Sequence, residues 1–278
     1  MLGNSIGLWG PLVGWCSDQD KSQYHLLNPV PRESMRPLIT DRPSLTEGPY
    51  TVDPGHFQIE SDIANWTHDS DSSGLVSETT KLASVNLKTG LLRSLDLHLI
   101  LDSYVRNRAE DPGLGSSDRA SGLGDLTVRL KKNFWGNDSG DTAFGVIPYL
   151  KVPTAGRGVG NGAIEGGLLF PFAIKLPGDF DLGLQTRLDC LRNDGRSGHH
   201  LESVNSVVLG HSIIGPLSGY VEFFTIHSFE SDAPWQGLVD FGLTYLLTED
   251  IQVDAGCNFG ATSSAPDLNP FLGLSWRF

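Results

Sequence analysis

The sequence predicts an all-β chain: an antiparallel transmembrane β-barrel of about 12 strands, preceded by an irregular Pro-rich N-terminal leader. Three observations predict it. Apolar residues recur at every second position from about residue 56 onward, the connectors between these stretches are by turns short and long, and the last stretch keeps its alternation down to a terminal aromatic, Phe278. Side chains of a strand point to opposite faces in turn, so this pattern gives each strand one greasy and one wet side. A barrel strand crosses a bilayer in about 9–11 residues with only alternate ones apolar, so a mean hydropathy of −0.14 suits such a barrel. No run of about 18 apolar residues occurs, which excludes a transmembrane helix.

Residues 1–55 form the leader. The stretch from Ile6 to Cys16 is mildly apolar, but no Lys or Arg precedes it and Pro11 interrupts it, so it reads as a non-standard signal segment. Residues 27–32 and 36–50 are Pro-rich and irregular, and are expected to lie at the periplasmic rim or inside the lumen. Residues 56–278 form the barrel. Its strands are expected at 56–67, 77–89, 93–105, 122–135, 141–153, 163–176, 180–191, 200–213, 217–229, 235–247, 251–262 and 268–278.

The third strand sets Leu95, Leu97, Leu99 and Leu101 against Asp96, His98, Ile100 and Asp102, and the fourth sets Leu126, Val128 and Leu130 against Thr127, Arg129 and Lys131. In the seventh, Phe180, Leu182, Leu184 and Leu188 oppose Asp181, Gly183, Gln185, Arg187 and Asp189. The tenth has Val239, Phe241, Leu243 and Tyr245 against Asp240, Gly242 and Thr244; the eleventh has Ile251, Val253, Ala255, Cys257 and Phe259 against Gln252, Asp254, Gly256 and Asn258. The second and eighth strands alternate poorly. Connectors 89–92, 136–140, 177–179, 214–216 and 248–250 are short, whereas 106–121, 154–162 and 192–198 are longer and polar. Short turns at one rim and long loops at the other are the arrangement of a transmembrane barrel, whose closure also removes exposed strand edges. In the last strand Leu272, Leu274, Trp276 and Phe278 share the greasy face and form an assembly signal.

With 33 acidic and 20 basic residues the net charge is −13, which argues against nucleic acid as a partner. Cys16, Cys190 and Cys257 are scattered, without CxxC or His at ligand spacing, and read neither as a disulfide framework nor as a zinc site. No cofactor or metal site is indicated. Gly156, Gly158, Gly160 and Gly162 mimic a phosphate loop, but no Lys-Ser/Thr follows, so a flexible outer loop is the reading. Ser206 and His211 fall on opposite faces of one strand, which disfavours a lipase-type pair.

If the hydrocarbon faces meet lipid, the opposite faces line the lumen. The candidate lumen residues are Glu60, Asp62, Asp96, His98, Asp125, Arg129, Lys131, Lys151, Glu165, Arg187, Glu222, Asp240 and Asp254. Charges in such a wall must pair or meet water, so the interior is either a hydrated path or a network of ion pairs. Acids outnumber bases on these faces, so an open lumen is expected to prefer cations weakly.

The stretch Ile39-Thr-Asp-Arg-Pro through Glu60, together with Gly122-Leu-Gly-Asp125, Pro148-Tyr-Leu-Lys-Val-Pro-Thr154 and Leu217-Ser-Gly-Tyr-Val-Glu222, resembles the outer-membrane barrels of the "MetA-pathway of phenol degradation" family, over roughly residues 36–278. The resemblance implies a bacterial outer-membrane location and a transporter, with outer-membrane lipid, the barrel-assembly machinery and a small-molecule solute as partners. It brings no catalytic residues. The expected function is therefore a non-enzymatic channel for small solutes, apolar or aromatic compounds among them. A barrel enzyme acting on lipid or peptide and a plugged structural barrel stand as alternatives.

Overall fold

A computed structural model describes residues 6–7, 10–11, 21–71, 73–113, 115–193 and 197–278. Two short strands, β1 (Ile6–Gly7) and β2 (Gly10–Pro11), pair only with each other. The rest of the signal-like stretch through Cys16 lies outside the described residues. After one 3-10 turn, Arg32–Ser34, come β3 (Phe57–Ser70), β4 (Val76–Leu92), β5 (Leu95–Asp111), β6 (Ser116–Gly122), β7 (Leu126–Trp135), β8 (Thr142–Val152) and β9 (Glu165–Leu176). They are followed by β10 (Phe180–Arg192), β11 (His199–Ile214), β12 (Leu217–Ser228), β13 (Gln236–Thr248), β14 (Ile251–Gly260) and β15 (Leu268–Arg277). Strands β3–β5 and β7–β15 form one closed antiparallel barrel of twelve strands, sealed by the β15–β3 pair and by β4–β5.

The greasy faces point outward. Leu99, Leu130, Leu188, Phe223, Phe241, Leu243, Leu272 and Trp276 are all exposed, and each contributes about 1.5–3 kcal/mol when its side chain leaves water for hydrocarbon. Aromatic residues collect near the short-turn rim, where Phe57 stacks on Phe278 with centroids 5.9 Å apart and Trp135 packs on Phe144 at 5.0 Å. The buried set, by contrast, is mostly polar: Glu60, Lys88, Asp96, His98, Lys131, Glu222, Asp240 and Asp254 are each no more than 3% exposed. A one-residue slip of register would exchange these two faces, so the pattern specifies register strongly.

Two expectations need correction. The polar stretch 106–121 is not a loop: β5 runs on to Asp111 and β6 returns beside it, pairing from Val105↔Gly122 to Asp111↔Ser116. Both faces there are polar, so hydropathy carried no signal; Arg119 of β6 lies 3.7 Å from Glu110 of β5, and Arg108 of β5 pairs with Glu78 of β4. The 89–92 connector is also strand; β4 continues to Leu92 and the turn is residues 93–94.

The poor alternation of β4 has a local cause. Ala83 sits at φ 51, in the left-handed region. Below it the even-numbered Lys88 is buried; above it the even-numbered Leu82 is exposed and Lys81 pairs with Asp102. The inward parity switches at this break, as it does at a bulge. β11 keeps its register on β10 throughout, from Phe180↔His211 to Arg192↔His199. Its alternation is faint because Val204 and Val208 face inward, Val208 into an apolar cluster with Tyr50, Ala143, Ala173 and Tyr220.

Candidate functional site

Residues 36–55 of the leader enter the lumen at its short-turn end and reach up to Leu45, which packs beside Ala265 in the 261–267 connector of the opposite rim. Prolines 37, 43, 49 and 54 hold this segment extended and remove four N–H donors. Gly55 N donates to the Gly90 carbonyl of β4 at 2.9 Å, but the donors deeper in the lumen are not paired with a strand, and a buried N–H without a partner is costly. Wall side chains supply the acceptors. Asp41 N donates to Glu60 at 3.1 Å, Leu45 N and Thr46 N each donate to Glu222 at 2.7 Å, and Val52 N donates to Asp96 at 2.8 Å. Glu47 N reaches Gln185 at 3.1 Å and Thr51 N reaches Asn137 at 3.0 Å. Several acids that line the interior are therefore receptors for leader backbone.

Charges complete the attachment. The Asp41 carboxylate lies between the ammonium groups of Lys88 and Lys131, and Lys88 also pairs with Glu60. Arg42 grips Asp254 through Nε at 3.2 Å and Nη2 at 2.7 Å and also contacts Asp62. Gly273 makes room for this guanidinium, since a Cβ there would come within 2.1 Å of Nη2. Glu47 pairs with Arg129. At the rim, Arg36 meets Asp138 at 2.8 Å and Lys21 meets Asp53 at 3.0 Å, while Arg277 donates to Asp250 and to the carbonyl of Arg36.

Burial alone would raise the Asp138 carboxyl, but Arg36, Arg93 and Lys21 outweigh it and hold it below the ordinary carboxylate range. Asp250 is held low in the same way, with Arg277 and Arg32 overcoming burial. Apolar contacts add to the seal. Tyr50, with Ile39 beside it, clusters with Ala143, Ala173, Val208 and Tyr220, and Leu45 packs on Phe224, Leu238 and Ala265. Through these bonds, pairs and clusters the leader meets strands all the way round the barrel.

The remaining sequence-selected residues lie above or beside the leader. His98 is fully buried, with Nε2 3.0 Å from Asp96 and, among the described residues, no partner at Nδ1. Lys151 bridges Glu165 and Asp125, and Asp125 also accepts from Ala155 N at 2.9 Å. Arg187 pairs with Asp189 at 2.7 Å, and Asp240 accepts from the Tyr220 hydroxyl at 2.7 Å. The assembly-signal residues Leu272, Trp276 and Phe278 are exposed on the outer surface, with Leu274 on the same face. Lys88, Asp41, Arg42, Thr46 and Arg36 were missed as interior residues. Lys88 sits in the strand with the parity switch, and the others sit in a segment without periodicity. The Thr40-Asp41-Arg42-Pro43 run was the available signal. Above the leader is a cavity of about 310 Å³, and at the long-loop mouth a vestibule of about 660 Å³ bordered by Glu202, Glu230, Asp232, Arg192 and His200.

A closed antiparallel barrel with an apolar outside, a charged inside, and short turns and long loops at opposite rims is a transmembrane β-barrel of the outer-membrane type. The chain belongs to the family described as "Putative MetA-pathway of phenol degradation", whose model matches residues 40–278. No curated protein sequence matches it. Among solved structures it is similar to the COG4313 outer membrane channel from Pseudomonas putida F1, with 13% identity and a TM-score of 0.62 over 84% of this chain and 100% of that one. It is also similar to the beta domain of the Bordetella autotransporter BrkA, at 13% identity and a TM-score of 0.53 over 80% and 99% of the two chains. The NanC porin follows at 10% identity and a TM-score of 0.50 over 79% and 98%. At these identities the likeness concerns the fold.

Proposed function

We propose that this protein is a channel of the bacterial outer membrane for small solutes, apolar and aromatic compounds among them, and that leader residues 36–55 constrict its lumen. The observation that carries this reading is the leader's mode of attachment. Among the described residues it is held chiefly by hydrogen bonds and ion pairs to wall side chains, and it pairs with the barrel backbone at its end, where Pro54 and Gly55 meet Gly90 of β4, beneath a vestibule open to the outside. Such an element can shift while the β-ladder stays intact. Membership of a family named for phenol degradation and likeness to a protein called an outer membrane channel support it. The greasy outer face fits lipid, and the Phe278-terminated strand fits the barrel-assembly machinery.

The test is conductance of the refolded protein in planar bilayers, full-length and with residues 36–55 deleted. The expectation is small or infrequent conductance for the full chain and a clear increase on deletion. Silence in both, with barrels verified by heat-modifiable mobility, would favour a plugged structural barrel. Lipid or peptide hydrolysis by the refolded chain would favour an enzyme.

A further inference from the structure

Towards the long-loop rim, the outward faces of β3, β4, β5 and β6 change chemistry in an ordered way. Strand pairing aligns three rows across them. The lowest runs Ala64–Leu82–Tyr104, the next Trp66–Thr80–Arg106–Ser121, and the third His68–Glu78–Arg108–Arg119. Leu82 and Tyr104 are exposed while Val105 is buried, so the even-numbered residues of upper β5 point outward. The opposite face leans on the 154–162 loop, where Asn107 donates to the Gly158 carbonyl at 3.1 Å. The rows thus pass from apolar side chains, through an indole and hydroxyls, to charges. That is the order of environments a side chain meets on leaving a bilayer.

The arginines of this face are only partly used by the protein. Arg108 is held between Glu78 and Glu110. Arg119 is exposed and lies 3.7 Å from Glu110, and Arg106, also exposed, makes no hydrogen bond or ion pair among the described residues. Arg108 and Arg119 stand directly opposite each other, where like charges repel, and two acids do not offset three guanidinium groups. Arg106 is one diagonal step from Arg119, about 7–8 Å away along the sheet and within reach of long side chains. Thr80 and Ser121 are its cross-strand partners on either side.

We propose that this face binds a phosphorylated glycolipid of the outer leaflet. Arg106 and Arg119 clamp its phosphate, the Thr80 and Ser121 hydroxyls donate beside it, and its acyl chains descend along Leu82 and Tyr104. The guanidinium fork matches phosphate oxygens bidentately, and basic clusters next to a membrane-spanning segment attract anionic headgroups. Continuity of the patch with the lipid-facing wall selects a lipid over a free anion. The site rests on the outer-membrane placement of the barrel and is independent of conductance.

The test titrates diphosphoryl lipid A, the same glycolipid stripped of its phosphates, and inorganic phosphate onto the refolded full chain in non-ionic detergent, with occupancy read by native mass spectrometry. Folding of each variant is checked by heat-modifiable mobility. The expected result is saturable binding of the phosphorylated glycolipid, at least about tenfold weaker once its phosphates are removed, as loss of charge-assisted hydrogen bonds implies. The paired change Arg106→Gln and Arg119→Gln should weaken it to the same extent, whereas Arg157→Gln, which removes one charge from the neighbouring loop, should bind as the unmodified chain does. Equal binding of the phosphate-free glycolipid by the unmodified chain, or undiminished binding by the paired variant, would overturn the proposal. So would an equal loss in Arg157→Gln, which would reduce the effect to net charge, and displacement of the glycolipid by inorganic phosphate at equal concentration, which would show a free-anion site.

Discussion

Replacing Arg42 by Met should release the leader while sparing the barrel. The guanidinium reaches the wall between β14 and β3, gripping Asp254 twice and touching Asp62. Asp254 has no side-chain exposure, whereas Asp62 retains 21%. Water can therefore relieve Asp62, but Asp254 would be left as an unpaired buried carboxylate. Breaking a buried pair from one side costs about 3–5 kcal/mol, nearly all of it the stranded charge. Taking the lower figure, the docking equilibrium shifts by roughly 100-fold. Amide hydrogen exchange reads this directly. Thr46 and Val52, whose N–H groups are bound to Glu222 and Asp96, should lose about two decades of protection while amides of β10 and β11 keep theirs. Pairing the change with Asp254→Asn should restore part of the loss, because the orphan charge is gone. Unchanged protection at Thr46 and Val52 in the single Arg42→Met variant would refute the view that this ion pair holds the leader.

Acid should loosen the same segment at its rim. Asp138 and Asp250 titrate below their ordinary range in the folded protein, so their contribution is complete above about pH 4 and is lost as pH falls through their folded values; leader protection should be level from pH 7 to 5 and decline below about 4, and a decline already between 7 and 5 would contradict this. Deleting Phe278, which stacks on Phe57 and exchanges backbone hydrogen bonds with it at the barrel seam, should lower the membrane-inserted fraction without lowering synthesis; equal insertion would show the terminus to be an ordinary strand end. Reversal potentials under a salt gradient should show weak cation preference set by Glu202, Glu230 and Asp232 at the mouth, because most of the deeper acids are paired or bound to leader N–H groups and Asp240 is buried against Tyr220; Glu202→Gln should reduce it, and anion preference in the unmodified protein would refute the assignment.

The barrel was legible wherever one face met hydrocarbon. β13 and β14 alternate cleanly because Phe241 and Leu243 face out while Asp240 and Asp254 face in. β6 and the upper part of β5 were not legible, since both their faces are polar and alternation of hydropathy disappears with the second solvent. β4 was obscured by the single backbone break at Ala83. Parity identified the inward charges, but parity cannot name partners. Glu222 and Asp96 were readable as lumen-facing acids that must pair or meet water, but their partners are N–H groups of a Pro-rich segment that no periodicity could place.

That placement of the leader has an electrical consequence. A potential applied across a membrane falls mainly over the least conductive stretch of the path, and here that stretch is the packed layer around residues 41–52 and not the wet vestibule above it. The segment 36–55 carries Arg36 and Arg42 against Asp41, Glu47 and Asp53, a net charge of one negative. Moving one charge through 100 mV is worth about 2.3 kcal/mol, comparable with the Arg42 attachment itself. The two polarities of an applied voltage therefore act on this segment in opposite senses, one drawing it out through the short-turn rim and the other pressing it further into the barrel.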